Sequence, residues 1–190
     1  MKKLVQKGDE EIVYKGKIFE IVQKLMVADD KEITFEIARR SPGVRLIIIK
    51  DDKILISREF RDDLDLFDYR LPGGKVFDTQ NEHETKSRDK TLPFAIKAAE
   101  KECVEETGLI AKNITHFTTS LAGSTVEWDL YYFIIDDFAE NKDGQNLEAG
   151  EVITTEWKTF EEVKNLAKNG KIHEYRSLGV LFQFFLERGI

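Results

Sequence analysis

Through the first third of the chain, apolar positions alternate with polar ones or gather in short β-branched runs. Ile12-Val13-Tyr14, Phe19 to Val22, Ile33 to Ala38, Val44 to Ile49 and Ile54 to Ile56 carry this pattern, which predicts strands. The links Lys15-Gly16-Lys17, Ala28 to Lys31 and Lys50-Asp51-Asp52-Lys53 are short and polar, so neighbouring strands are expected to pair as hairpins. Residues 78 to 91 contain no aliphatic residue and no Phe, Tyr or Trp; they read as a polar loop, disordered when no ligand is bound. A helical period then takes over and stops at Gly108, a residue suited to the left-handed position past a helix end.

Further strands are predicted at about 113 to 121, 128 to 136 and 152 to 157, with a mostly polar stretch from Asp137 to Gly150 between the last two. Thr159 caps a predicted helix from Phe160 to Lys168, and Glu162 is placed to complete a capping box. A closing helix over about 174 to 188 presents Leu178, Val180, Leu181, Phe184, Phe185 and Leu186 as an apolar face. No internal repeat is visible. Strands, one helix, more strands and terminal helices predict a mixed sheet flanked by helices, a layered α/β arrangement.

With 190 residues, 41% of them hydrophobic, the chain can bury one sizeable core, and a second full domain is not expected. Its net charge of −7 and the lack of a dense Lys/Arg run argue against general affinity for nucleic acid or an anionic membrane. The single cysteine excludes an internal disulfide and reads as a small core hydrophobe. After Met1-Lys2-Lys3 only Leu4-Val5 precede the polar run Gln6 to Glu11, which leaves no apolar core of a signal peptide, and no run approaches 18 apolar residues, so a cytoplasmic location without a membrane span is expected. His83, His116 and His173 are scattered and form no zinc pattern.

The chemistry concentrates in Ala98-Ala99-Glu100-Lys101-Glu102-Cys103-Val104-Glu105-Glu106-Thr107-Gly108-Leu109. At about 100° per residue, Glu102, Glu105 and Glu106 fall within an arc of about 100°, beside an apolar stripe of Ile96, Ala99 and Cys103. Ala95 and Ala98 share the acidic side, where small residues would admit a loop or an anionic ligand. Three clustered carboxylates suit a divalent cation. The same composition also occurs on ordinary solvated helix faces, so the context decides between the two readings.

That context is Leu71-Pro72-Gly73-Gly74-Lys75-Val76 upstream. Together the two segments resemble the signature of the Nudix hydrolases: Gly, five residues, Glu, seven residues, Arg-Glu, an aliphatic, any residue, Glu-Glu, any residue, Gly, an aliphatic. Gly74 matches the first glycine, and Glu102, Glu105, Glu106, Gly108 and Leu109 match the second half, with Cys103 in the aliphatic slot. Two departures stand out. Lys101 replaces the arginine and lacks its planar fork. Gly74 and Lys101 stand 27 positions apart where the signature has 14, an insertion of 13 residues. The first glutamate's slot holds Pro93 counted back from Lys101, or Gln80 counted forward from Gly74; Glu82 or Glu84 could substitute if the insertion folds back.

The resemblance implies an α/β/α sandwich with a mixed sheet and N-terminal antiparallel strands, divided here as N-terminal strands over 1–40, which could form a dimer, and a catalytic domain over 41–190 carrying the inserted loop 78–91. The N-terminal strands, Arg58-Glu59-Phe60-Arg61 and Leu147-Glu148-Ala149-Gly150-Glu151 look most like the ADP-ribose and nucleotide-sugar pyrophosphatases, which implies a homodimer and hydrolysis of a nucleoside diphosphate-linked small molecule to two monophosphates. Mg²⁺ or Mn²⁺ is the implied cofactor, held by Glu102, Glu105 and Glu106 with a backbone carbonyl of Gly73 or Gly74. Lys101 would hold a neighbouring carboxylate, and Glu148 or Glu151 would serve as a loop base. Arg61 and Arg70 could bind the diphosphate; Phe60 and Phe77 could stack on a base or ribose, and the loop from Gly123 to Trp128 could border the substrate. Two other readings stay open: a pyrophosphohydrolase of nucleoside triphosphates or dinucleotides, and a catalytically silent nucleotide-binding domain.

Overall fold

A computed structural model describes residues 3–29, 31–87 and 90–190, without the side chains of 84–87. The N-terminal strands β1 (Val5–Gln6), β2 (Glu11–Lys15), β3 (Phe19–Ala28) and β4 (Lys31–Arg40) form an antiparallel sheet around β3. The expected hairpins are present. The chain then enters the central sheet through β5 (Gly43–Lys50), β6 (Lys53–Arg61) and β7 (Leu66–Arg70). Asp51 and Asp52 take φ of 48° and 58° between paired Lys50 and Lys53, a two-residue hairpin turn that Asp tolerates better than most residues.

Helices α1 (Gln80–Ser87) and α2 (Leu92–Thr107) follow, then β8 (Leu109–Ala111), β9 (Thr115–Ser120), β10 (Val126–Glu127), β11 (Leu130–Ile135), β12 (Phe138–Glu140), β13 (Ile153–Thr159), α3 (Phe160–Lys168) and α4 (Tyr175–Glu187). The central sheet runs β13-β6-β5-β11-β9, with β7 on β6; β11 lies parallel to β5 and the other pairs are antiparallel. A parallel pair needs a long crossover, and α2 lies within it. β10 pairs with β4 and so joins the N-terminal sheet to the rest of the molecule.

β5 is buried on both faces, and alternation along it builds two cores. Val44, Leu46 and Ile48 pack with Ala95, Ala98, Ala99 and Cys103 of α2. Ile47 and Ile49 point the other way, toward Val180, Leu181, Phe184 and Phe185 of α4 and toward Phe160 and Val163 of α3. A sheet covered on both faces by helices is the α/β/α sandwich. Thr159 caps α3 through the capping box with Glu162. No helix among the described residues is long and apolar enough to cross a membrane.

Three expectations are corrected. Ala95 and Ala98 do not leave room beside the acidic face; they are buried in the α2 core against β5. Leu186 is 61% exposed rather than docked, because the buried face of α4 is set by Val180, Leu181, Phe184 and Phe185. The segment 78–91 is not loop throughout, since α1 occupies most of it. Capping and docking replace apolar periodicity there: the Thr79 hydroxyl accepts from the Glu82 N–H, Gln80 N–H donates to the Lys17 carbonyl, and the Phe77 ring stacks on His83 at 5.6 Å. The Glu84 alternative lies outside the described side chains.

The two faces of α4 yield a direct test. Phe184 is 1% exposed and Phe182 is 66% exposed. Phe184→Ala is expected to lower unfolding free energy by about 3–5 kcal/mol, whereas Phe182→Ala should stay within about 0.5 kcal/mol of the parent; urea unfolding of both variants measures the difference.

Candidate functional site

The turn from Leu71 to Val76 lies along β5. Leu46 N–H donates to the Pro72 carbonyl, Val44 N–H to the Gly74 carbonyl, and Val76 N–H to the Pro42 carbonyl, all at 2.8–2.9 Å. Gly73 has φ of 143°, and a Cβ there would stand 2.2 Å from the Val44 carbonyl oxygen, so no other residue fits. At Gly74 a Cβ would fall 2.0 Å from Glu102 Oε1. The paired glycines therefore let the turn lie between β5 and the acidic face of α2.

Glu102, Glu105 and Glu106 line a pocket of about 270 Å³ over this turn, and Glu148 and Glu151 line it from the loop before β13. The cations Arg40, Arg45, Arg61, Arg70, Lys75 and Lys101 line it as well, together with Glu59 and Asp78. Gly73 N–H donates to Glu106 Oε2 at 2.7 Å, and Lys101 pairs with Glu105 at 2.9 Å. Burial pushes the Glu106 carboxyl up to about 8, opposed by the Gly73 hydrogen bond and by Arg45 and reinforced by Glu102. Burial likewise pushes Glu102 up to about 7; Lys101 opposes the shift, and Glu105, Glu151 and Glu148 add to it.

The cationic wall is held by carboxylates outside the pocket's acidic face. Arg45 meets Glu174 with two hydrogen bonds of 2.8 and 2.7 Å and donates to its neighbour's carbonyl at Val44. Glu174 is pushed up by burial but pulled further down by Arg45, Ser177 and Arg70, to about 2. Arg70 pairs with Glu59 at 2.8 Å and reaches Glu174 at 3.5 Å, while Arg61 pairs with Asp63 at 3.0 Å. The loop carboxylates are more open: Glu151 accepts from the Glu148 N–H in an exposed turn.

The pocket thus brings together Lys101, Glu102, Glu105, Glu106, Glu148, Glu151, Arg61, Arg70, Gly73 and Gly74. It does not include Phe60, whose ring packs edge-on to Phe67 at 5.3 Å; on an alternating strand Phe60 faces away from Glu59 and Arg61. Phe77 is a buried residue against Phe94 and His83. Trp128 borders the pocket. Arg45 was missed by sequence reasoning, although one charged residue inside the run Val44 to Ile49 was a usable signal, because a buried charge requires a partner. Gln80, one of the residues standing in the first-glutamate slot, is fully buried and does not line the pocket.

Among the described residues, no three His, Cys, Asp or Glu side chains are gathered into a ready-made cation site. Glu105 is turned to Lys101 and Glu106 to Gly73. The donor chemistry nevertheless fits a hard divalent cation: the donors are oxygens, they line one pocket, and burial raises the Glu102 and Glu106 carboxyls further than Lys101 and Arg45 lower them. The Gly74 carbonyl already accepts from Val44 with one lone pair, which leaves the other for a ligand.

A sequence profile of the NUDIX domain matches residues 39–178. A CMP-5'-(N-acetyl-N-hydroxy-3-aminopropyl)phosphonate hydrolase of Streptomyces rubellomurinus (strain ATCC 31215) is 27% identical over 134 residues, covering 70% of this chain and 58% of that protein. The chain therefore spans little more than half the length of this curated relative. The crystal structure of an ADP compounds hydrolase superimposes with a TM-score of 0.74 at 16% identity, covering 100% of this chain and 97% of that one; at that identity the likeness concerns the fold.

The raised carboxyls predict a pH dependence. A carboxyl whose folded pKa exceeds its unfolded value stabilises the fold below the unfolded pKa, and that stability is lost as pH rises through the folded value. The window here runs from 4.5 to about 7 for Glu102 and to about 8 for Glu106. In chelator-treated protein, thermal stability should fall between about pH 4.5 and about pH 8, by up to about 1.4 kcal/mol per pH unit per group. Glu106→Gln should flatten the slope, and Mg²⁺ should restore stability at the alkaline end; calorimetric melting across pH reads all three.

Proposed function

The chain belongs to the NUDIX family of hydrolases, and from that premise we propose that it hydrolyses the diphosphate bond of ADP-ribose or a related nucleoside diphosphate sugar, releasing a nucleoside monophosphate and a sugar phosphate. The observation that carries this reading is the two-sided pocket. A diphosphate is a multiply charged anion, and Arg40, Arg45, Arg61, Arg70, Lys75 and Lys101 line one cavity with six glutamates and Asp78. The cations suit the phosphoryl oxygens, and the glutamates suit the counterion that the diphosphate brings.

In this reading Glu102 and Glu106 hold Mg²⁺ or Mn²⁺, with Glu105 and a carbonyl of Gly73 or Gly74 available to complete the set. The chemistry supplied by such a cation is neutralisation of phosphoryl charge and acidification of water. Arg61 and Arg70 bind the diphosphate, already oriented by Asp63, Glu59 and Glu174. Lys101 holds Glu105 in place with a single charge-assisted hydrogen bond, where an arginine fork would hold it with two. Glu148 or Glu151 takes the proton of the attacking water, since both sit on an exposed turn at the pocket rim. Water oxygen bonds to phosphorus, the bridging oxygen departs with one phosphate, and each product leaves as a monophosphate.

The ADP compounds hydrolase supports a nucleoside diphosphate as the substrate core. The Streptomyces relative acts on a phosphonate joined to CMP, so a phosphonate in place of the sugar phosphate belongs in the substrate panel. A homodimer through the N-terminal strands, in a cytoplasmic setting, completes the proposal. Val5, Val13, Tyr14 and Ile18 on those strands and their turns are exposed apolar side chains, which supports burial by a second copy.

The test is product analysis with Mg²⁺ or Mn²⁺ and a panel of nucleotide sugars, dinucleotides and nucleoside triphosphates. Metal-dependent release of nucleoside monophosphate and sugar phosphate is expected. Glu102→Gln and Glu106→Gln should each lower kcat by about a hundredfold or more, and one of Glu148→Gln and Glu151→Gln should do the same. Pyrophosphate released from a triphosphate would replace this reading with a triphosphatase, and binding of nucleotide without turnover would make the domain a sensor.

A further inference from the structure

A second cavity of about 360 Å³ adjoins the first, and both are lined by Arg40 and Pro42. The first alone, at about 270 Å³, falls below the roughly 300–1,000 Å³ of sites that enclose a drug-sized ligand. A molecule with a diphosphate centre and two large end groups overfills it, so at least one end group must go elsewhere. The second cavity lies where such a group would emerge, past Arg40. Its wall includes His83 and Thr91, which belong to the segment that lengthens this chain between Gly74 and Lys101.

The lining chooses among end groups. Glu10 and Glu127 are committed to ion pairs with Arg39. Asp129 is different: its backbone carbonyl accepts from Gly43 N–H, but its carboxylate has no hydrogen-bonded side-chain partner among the described residues, and burial pushes its pKa up. Tyr131 adds a hydroxyl hydrogen-bonded to Thr91. A flat base would require an open aromatic face. The neighbouring Trp128 ring carries the guanidinium groups of Arg40 at 4.5 Å and Arg176 at 5.2 Å, His83 is already stacked on Phe77, and the Tyr131 ring packs against His116 at 6.0 Å. A polyol suits a lining of carboxylate and hydroxyl, because each sugar hydroxyl both donates and accepts.

We propose that this second compartment binds the sugar end of the substrate, with Asp129 accepting hydrogen bonds from its hydroxyls. The assignment rests on the diphosphate occupying the first pocket. The inserted segment thereby acts as a specificity wall: His83 and Thr91 line the compartment, with Thr91 hydrogen-bonded to Tyr131, and the end group is recognised there while the diphosphate is held by Arg61 and Arg70.

Calorimetric titration of the intact protein with Ca²⁺ tests this, using ADP-ribose, UDP-glucose and GDP-mannose beside ADP, UDP and GDP, with hydrolysis followed in parallel in Mg²⁺. For at least one pair, the sugar is expected to tighten binding by about tenfold, and Asp129→Asn to abolish that gain while changing the affinity of the sugar-free nucleotide less than about twofold. Tyr131→Phe keeps the ring and should remove about threefold of the gain, so the assignment is tested even if the Asp129 variant does not fold. Equal loss of affinity for sugared and sugar-free nucleotides would overturn it and give the compartment to the nucleoside. Unchanged binding in both variants would overturn it outright. A sugar-dependent gain sensitive to Asp129, without hydrolysis of any substrate, would support the compartment and sink the hydrolytic reading alone.

Discussion

The approach of Gly73 to β5 is the constraint on which the site depends. With a Cβ 2.2 Å from the Val44 carbonyl, any side chain at that position would drive the turn off the strand. Because the turn stays, its N–H reaches Glu106 and its next glycine lies against Glu102. Glu106 is thus buried against backbone, and half-buried Glu102 lies beside the turn. Their raised pKa values follow from that placement, and so does their readiness for a cation.

Burying like charges is costly unless the molecule supplies opposite charge close by. Here the supply comes from the other side of the sheet's end. Arg45 leaves a strand that is otherwise apolar, and Glu174, the residue before α4, meets it with two hydrogen bonds. The same glutamate reaches Arg70. One carboxylate outside the pocket therefore orients two of the cations inside it, and ties α4, whose Phe184 and Phe185 build the core beneath, to the chemistry above. Stability of that core and geometry of the cationic wall are coupled through a single residue.

The N-terminal sheet is bound to the rest by charge and by pairing. β10 adds to β4, and the adjacent Arg39 pairs with Glu10, Glu20 and Glu127. Residues from three distant parts of the chain converge there, next to the compartment that α1 helps to close. An insertion can be accommodated at this edge without disturbing the central strands, since it enters after the glycine turn and leaves before α2 packs on β5.

Elements whose signals are local were legible before any folding was considered. Alternating runs became β2 to β6, the Thr159 and Glu162 pair became a capping box, and Gly108, at φ of 68°, ended α2. The sequence also set which residues carry the acidic face, because helical spacing alone puts Glu102, Glu105 and Glu106 on one side. Short pairings such as β10 with β4 depend on partners far along the chain, and no local period announces them. Whether Ala95 and Ala98 faced a ligand or the core, whether Phe60 faced the pocket, and whether a stretch without aliphatic residues could be helical were decided by packing. The Gln80 contact that docks α1 on Lys17, and the Glu174 that holds Arg45, arise only when segments some 60 to 130 positions apart are brought together. Spacing along a chain sets which side chains share a face; only the fold decides what that face meets.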